Sequence, residues 1–337
     1  MSRLSSLLLS NEYLLTSILS HNGNTNSPRP TVSQVLTTLK NAPLLEYLHL
    51  VDQTIFEQPL PLTNAPVEEF LPVSLPHLAT LQLFGTAYDC TTITSHIIPS
   101  SFVDLEIHCT QVETVSQVQR LMNFVKDNFG RDATIDSSSA LSVRMGAGVG
   151  ELSVNIDAIS KFGSRRVVSL GMYPRVAEFF ERRASTVCPI IFDSIPAAAT
   201  KRLDVRSKFS ISEDAWTHVL NRMSEVRVLD AYFAGAVNLS HVLGSHIPDT
   251  SSFVAKKLKL LTFSGVSFLH KTSHQARFHD ALLECLQNRS DGDQRIENLN
   301  FHSCSDVGGN VASQFRKVAH KVRWDKESEE DLMMLSE

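Results

Sequence analysis
Nothing in this 337-residue chain approaches the ~20 consecutive apolar residues of a membrane span. The first apolar run, Leu7 to Leu9, is broken by Asn11 and Glu12 before a signal-peptide core can form, so a cytoplasmic or nuclear protein is expected. The asparagines of Asn238-Leu239-Ser240 and Asn288-Arg289-Ser290 would then never meet the glycosylation machinery. The 5 cysteines, Cys90, Cys109, Cys188, Cys285 and Cys304, are scattered without a CxxC pair. Their spacing and odd number argue against a zinc knot or a disulfide framework and for buried thiols in a reducing compartment. An excess of positive charge is also missing, since the formal net charge is -5, and neither nucleic acid nor an anionic membrane is expected as a partner.

Motifs of catalysis are equally scarce. There is no GxSxG elbow and no Walker loop, and His274 and His279 stand five apart without the glutamate of HExxH. His108-Cys109 places an imidazole and a thiol on opposite faces of a strand, and His302-Ser303-Cys304 lacks a third catalytic partner. Gly146, Gly148 and Gly150 follow an apolar strand, but Glu151-Leu152-Ser153-Val154 reads as a second strand where a phosphate-binding turn needs a helix. A hairpin is the expectation there, with a nucleotide-using α/β enzyme as the alternative of another class. No metal and no cofactor are expected, and the chain is read as non-catalytic.

What the chain does contain is a recurring register: an apolar residue, two of any type, a second apolar residue, one of any type, and a third. It appears as Leu4/Leu7/Leu9, Leu45/Leu48/Leu50, Leu78/Leu81/Leu83, Phe102/Leu105/Ile107, Val226/Leu229/Ala231, Leu258/Leu261/Phe263 and Ile296/Leu299/Phe301, with a looser copy at Thr200/Leu203/Val205. Leu141/Val143 and Val168/Leu170 fill the long interval between Leu105 and Leu203 with strand-like runs. This is the strand signature of a leucine-rich repeat, and units of that size bury their apolar face only by stacking. The expected fold is therefore an irregular α/β leucine-rich-repeat solenoid, with a curved, mainly parallel sheet on one face and helices on the other. A single solenoid is expected over 1–325, with a mobile loop at 21–30, an irregular middle at 132–196 and a charged tail at 326–337 containing Glu327, Glu329, Glu330 and Asp331.

Helical stripes separate the strands. Val32, Val35, Leu36 and Leu39 share a face between Thr31 as cap and Pro43 as stop. Val115, Val118, Leu121, Met122, Val125 and Phe129 follow Thr114, with Gly130 expected as a left-handed C-cap. Ser210 and Glu213 suggest a capping box before Trp216, Val219, Leu220 and Met223. Another helix carries Phe278, Leu282, Leu283 and Leu286, and a last one is expected from Val311 through Phe315, Val318 and Val322 to near Trp324.

The runs Pro30 to Leu36, Ala42 to Leu50 and Leu75 to Leu83, with Ile296 to Cys304 and the closing Val322-Arg323-Trp324-Asp325, resemble the leucine-rich region of basidiomycete fungal F-box proteins. The likeness covers nearly the whole chain. It implies a target-recognition region of a ubiquitin ligase subunit, in which an N-terminal F-box docks on the adaptor of a cullin-type ligase and the repeats hold the target. The F-box is expected to be missing from this chain, which begins inside the first repeat at Leu4. The adaptor is thus a partner only where an F-box lies upstream; a stand-alone intracellular scaffold is the alternative.

Strand alternation locates the expected binding face. With the apolar triplet pointing inward, the residue between its second and third members points outward. Those residues are His49, Gln82, Glu106, Asp204, Asp230, Thr262 and Asn300, a polar, mildly acidic row facing solvent. Flanking positions add Glu46, Asp52, Lys201, Arg202, Arg206, Arg227, Tyr232, Lys259 and His302, with arginine and tyrosine gathering toward the C-terminal half. Arginine and tyrosine beside carboxylates suit a protein target.

Overall fold
A computed structural model describes residues 32–51, 71–131, 140–148, 151–159, 165–176, 178–247, 253–306 and 309–325. The expected first repeat at Leu4, the loop at 21–30, Thr31, Asp52, Gly150 and the charged tail lie outside them. In chain order the elements are α1 (Val32–Lys40), β1 (Tyr47–Val51), β2 (Val73–Leu75), β3 (Thr80–Thr86), α2 (Ala87–His96), β4 (Ile97–Pro99), β5 (Asp104–Val112), α3 (Val115–Gly130), β6 (Ala140–Gly148), β7 (Glu151–Ile159) and β8 (Arg165–Pro174). They continue with α4 (Phe179–Asp193), β9 (Thr200–Ser207), α5 (Glu213–Arg222), β10 (Val228–Tyr232), α6 (Leu239–Leu243), β11 (Leu260–Ser264), α7 (Phe278–Asp291), β12 (Asn298–His302), α8 (Gly309–Val318) and β13 (Lys321–Trp324).

Among the described residues, eleven strands form one open sheet in the order β1-β3-β5-β8-β7-β6-β9-β10-β11-β12-β13, and β2 pairs with β4 in a separate two-stranded sheet. Every pairing in the large sheet is parallel except those that β7 makes with β6 and β8. The chain is thus α/β, built on a large, mainly parallel sheet with helices. Consecutive helices from α1 to α8 pack side by side, and their apolar stripes share one core with the apolar side of the sheet.

The register explains that core. Leu48, Leu81, Leu105, Val168, Ile156, Val143, Leu203, Leu229, Leu261, Leu299 and Val322 lie opposite one another across the sheet. All are buried, as are Leu50, Leu83, Ile107, Leu170, Met145, Val205, Ala231, Phe263 and Phe301 two residues later and, on the reversed β7, Val154 two residues earlier. A one-residue slip would turn each of these side chains to the other face, so the apolar pattern itself fixes the pairing. All five cysteines are buried and free. Burial pushes the thiols of Cys188 and Cys285 up to about 12, which leaves them inert as nucleophiles at neutral pH. Arg289, wholly buried in α7, donates to the carbonyls of Leu243, Val254 and Ala255 and so ties α6 and the segment before β11 to α7.

The middle of the chain follows its own path. From β5 the chain runs through α3 to β6, returns through β7 to β8 beside β5, and then crosses through α4 to β9 beside β6. The strand-like runs at Leu141/Val143 and Val168/Leu170 are β6 and β8. β6 and β7 pair antiparallel with Gly148 opposite Glu151, so the glycines are followed by a second strand and not by a helix.

Several helix boundaries differ from expectation. Thr114 and Gln117 form a capping box on α3, but the helix runs through Gly130 and ends on Arg131 at φ -85, so Gly130 is no left-handed cap. On α5 the cap is Ser212, whose hydroxyl accepts from the Ala215 N–H, while Ser210 accepts instead from the Asn238 amide. The last helix stops at Val318. His320 N–H donates to Ile296 C=O and Lys321 N–H to Glu297 C=O, which draws Val322 and Trp324 into the edge strand β13. A three- or four-residue apolar spacing followed by strict alternation cannot be divided by pattern alone.

Candidate functional site
The outward face of the sheet collects the polar residues in rows. His49, Gln82, Glu106, Asp204, Asp230, Thr262 and Asn300 occupy one row, completed by Ser169, Asn155, Arg144 and Arg323 from β8, β7, β6 and β13. The next row contains Phe84, His108, Gly171, Ser153, Gly146, Arg206, Tyr232, Ser264 and His302. Arg227 lies one residue ahead of β10, is exposed, and passes its backbone N–H to Lys201 C=O.

Alignment and exposure part company here. Asp204 and Asp230 are only 4% exposed and Thr262 is 6% exposed, so the row is not the solvated acidic stripe that alternation suggests. The cause lies in the neighbouring arginines. Arg206 grips both oxygens of Asp204 at 3.0 and 3.2 Å, and Arg144 approaches the same carboxylate at 3.5 Å. Arg202 donates to Asp230 at 2.7 Å. Long guanidinium side chains therefore lie over the short carboxylates and cover them. What reaches solvent in the C-terminal half is the arginines, with side chains 48 to 58% exposed. Arg206 also sits 4.7 Å from the centre of the Tyr232 ring. The bond to Asp204 raises its already high pKa against the opposing effect of burial, so the cation is permanent. Asn300 is half-buried, and its Oδ1 is buried without a hydrogen-bond partner among the described residues.

The N-terminal half is aromatic rather than acidic. The Phe84 ring stacks on His108 at 4.7 Å and 5°, His49 meets Phe84 edge-on at 6.2 Å, and Tyr173 lies 6.4 Å beyond His108. Gly171 makes this possible, because a Cβ there would fall 2.5 Å from Nδ1 of His108. Glu106 accepts from the Gln82 amide at 2.8 Å and lies 3.5 Å from Nε2 of His108. Phe84, His108 and Tyr173 were not among the expected face residues. They occupy the same side of the strand two or more residues beyond the first row, so extending the alternation by one step finds Phe84 and His108.

His302 and Cys304 do not converge, since His302 is exposed and Cys304 is buried and bonded to carbonyl oxygens. Among the described residues no helix is long and apolar enough to cross a membrane. No protein-family model, curated protein or solved structure matches the chain.

Proposed function
We propose that this chain is a leucine-rich-repeat solenoid without catalytic chemistry, which holds a protein target on the outward face of its sheet. The observation that carries the reading is the shared register: residues from widely separated segments fall into one row across eleven strands and a second across nine. A surface of that length, with arginines, Tyr232 and the aromatic run of His49, Phe84, His108 and Tyr173, suits a protein segment offering carboxylates and apolar side chains. By resemblance, the place of such a face is the target reader of an F-box-type ubiquitin ligase subunit.

Pull-down of the chain, with any coding sequence upstream of Met1 restored, tests the ligase part. Recovery of the ligase adaptor that depends on the upstream segment supports it, and failure to recover the adaptor leaves a stand-alone scaffold. The face itself is tested by combining Arg227→Glu and His302→Ala, both at exposed side chains. These variants should lose the protein retained by the native chain while keeping its unfolding midpoint, because surface changes usually alter stability by no more than about 0.5 kcal/mol. Undiminished retention would remove the face as the binding surface.

A further inference from the structure
Away from the polar face, three successive βα units bring nitrogen and oxygen donors together at one end of the sheet. Glu213 opens α5 after β9, His241 lies in α6 after β10, and His274 lies between β11 and α7. Because β9, β10 and β11 are adjacent and parallel, the segments leaving their C-terminal ends converge, the usual position for ligand sites in open parallel sheets. One donor atom from each residue falls within 4.8 Å of the other two.

The grouping is held from outside. Asn238 accepts from the Ser273 N–H at 3.0 Å and donates to Ser210 and Ile211 at 3.0 Å, fixing the loop before α7 against the entry to α5. The Ser273 hydroxyl donates to the Glu213 carboxylate, which also meets Nε2 of His274 at 3.0 Å. The Thr272 hydroxyl holds Nε2 of His241 at 2.9 Å, and the two imidazoles pack edge to face with centroids 4.5 Å apart. Oriented imidazoles whose neighbours fix the ring are what a metal site requires of its surroundings.

We propose that Glu213, His241 and His274 bind one divalent transition-metal cation, zinc first among them. Two imidazoles and a carboxylate form a donor set typical of zinc, with bonds of about 2.0–2.2 Å and a fourth position left to water. At tetrahedral angles such bonds place neighbouring donors about 3.4 Å apart, so the trio closes on the ion by modest side-chain rotation. The ion replaces the shared hydrogen bonds between these side chains and cross-links three neighbouring βα units. Neither imidazole spacing nor a local motif announces the site, since Glu213 and His274 are 61 residues apart. His274 with His279 is the wrong pair, because His279 turns instead toward Asp280 at 3.2 Å.

The test is calorimetric titration of the full chain, freed of any histidine tag and dialysed against chelator, with zinc chloride alone. One equivalent should bind and the melting temperature should rise, as it must when a ligand binds only the folded state. The cobalt adduct should show the intense visible absorption of a four-coordinate ion. His274→Ala, at a side chain 62% exposed, should leave the fold intact and weaken zinc at least tenfold. Glu213→Gln, which keeps an oxygen acceptor for Ser273, should do the same. Absence of a saturable equivalent in the native chain, or zinc affinity in both variants equal to that of the native chain, overturns the site and leaves a hydrogen-bonded cluster in its place.

Discussion
Asp204 and Asp230 show how a side chain can hold its expected place in the register and still have another role. Both point away from the apolar core, yet both are buried beneath arginines that bond to them. Alanine at either position removes a charge-assisted acceptor from under a guanidinium, and each change should cost about 1–3 kcal/mol in urea unfolding. The strand alternation by itself would predict a nearly neutral effect, so a loss below about 0.5 kcal/mol would mean that the arginines contribute nothing by covering them. Leu229 provides the contrast. It is fully buried at the centre of the apolar row, and Leu229→Ala should cost roughly 2–5 kcal/mol, since the packed surroundings close only partly over the lost methyls.

At the scale of elements, local chemistry decides where helices begin and longer-range pairing decides where they stop. Thr114 accepts from the Gln117 N–H, and the Gln117 side chain accepts from the Thr114 N–H, so both ends of the box are made. Thr114→Ala should therefore cost about 1 kcal/mol by chemical denaturation, with no change in the outward face. That start was legible because it rests on residues three apart. The end of α8 was not, because Lys321 and Val322 are drawn into β13 by β12, which no window around Val318 contains. α2 was missed for a different reason. It is rich in β-branched threonine, whose hydroxyls bond back to Ala87, Tyr88 and Cys90 carbonyls, and its helical state comes from packing rather than propensity. The apolar row from Leu48 to Leu299 was legible for the opposite reason, since a period of two is written in each strand separately.

Across the whole molecule, acid should loosen the structure through the cluster at α5, α6 and α7. Burial depresses His241, with His274 adding to the effect and Glu213 and Glu284 opposing it. Burial would raise Glu213, but bonds from Ser273 and His274, with the charge of His241, outweigh it and hold the carboxylate below its usual range. A depressed histidine resists the proton that the unfolded chain accepts below about pH 6.5, so stability falls as pH drops through that value. A depressed glutamate adds stability above about pH 4.3 and loses it as pH falls through its lower folded value. Both signs agree. The urea midpoint, measured with chelator present, should fall between pH 7 and 5, and His241→Gln should flatten that fall; an identical slope in the variant would assign the acid sensitivity elsewhere.

The reversed strand β7 has a consequence for how the molecule comes apart. On one side stand β1, β3 and β5 with β8, on the other β6 with β9 to β13, and among the described strands of the large sheet only β7 hydrogen-bonds to both groups. Force or heat that unzips β7 therefore cuts the ladder into two parallel blocks, with the packing of α3 against α4 still bridging them. The chain is in this sense a hinged plank whose pin is a single strand, and the seam between its aromatic and its arginine-rich ends runs along that pin.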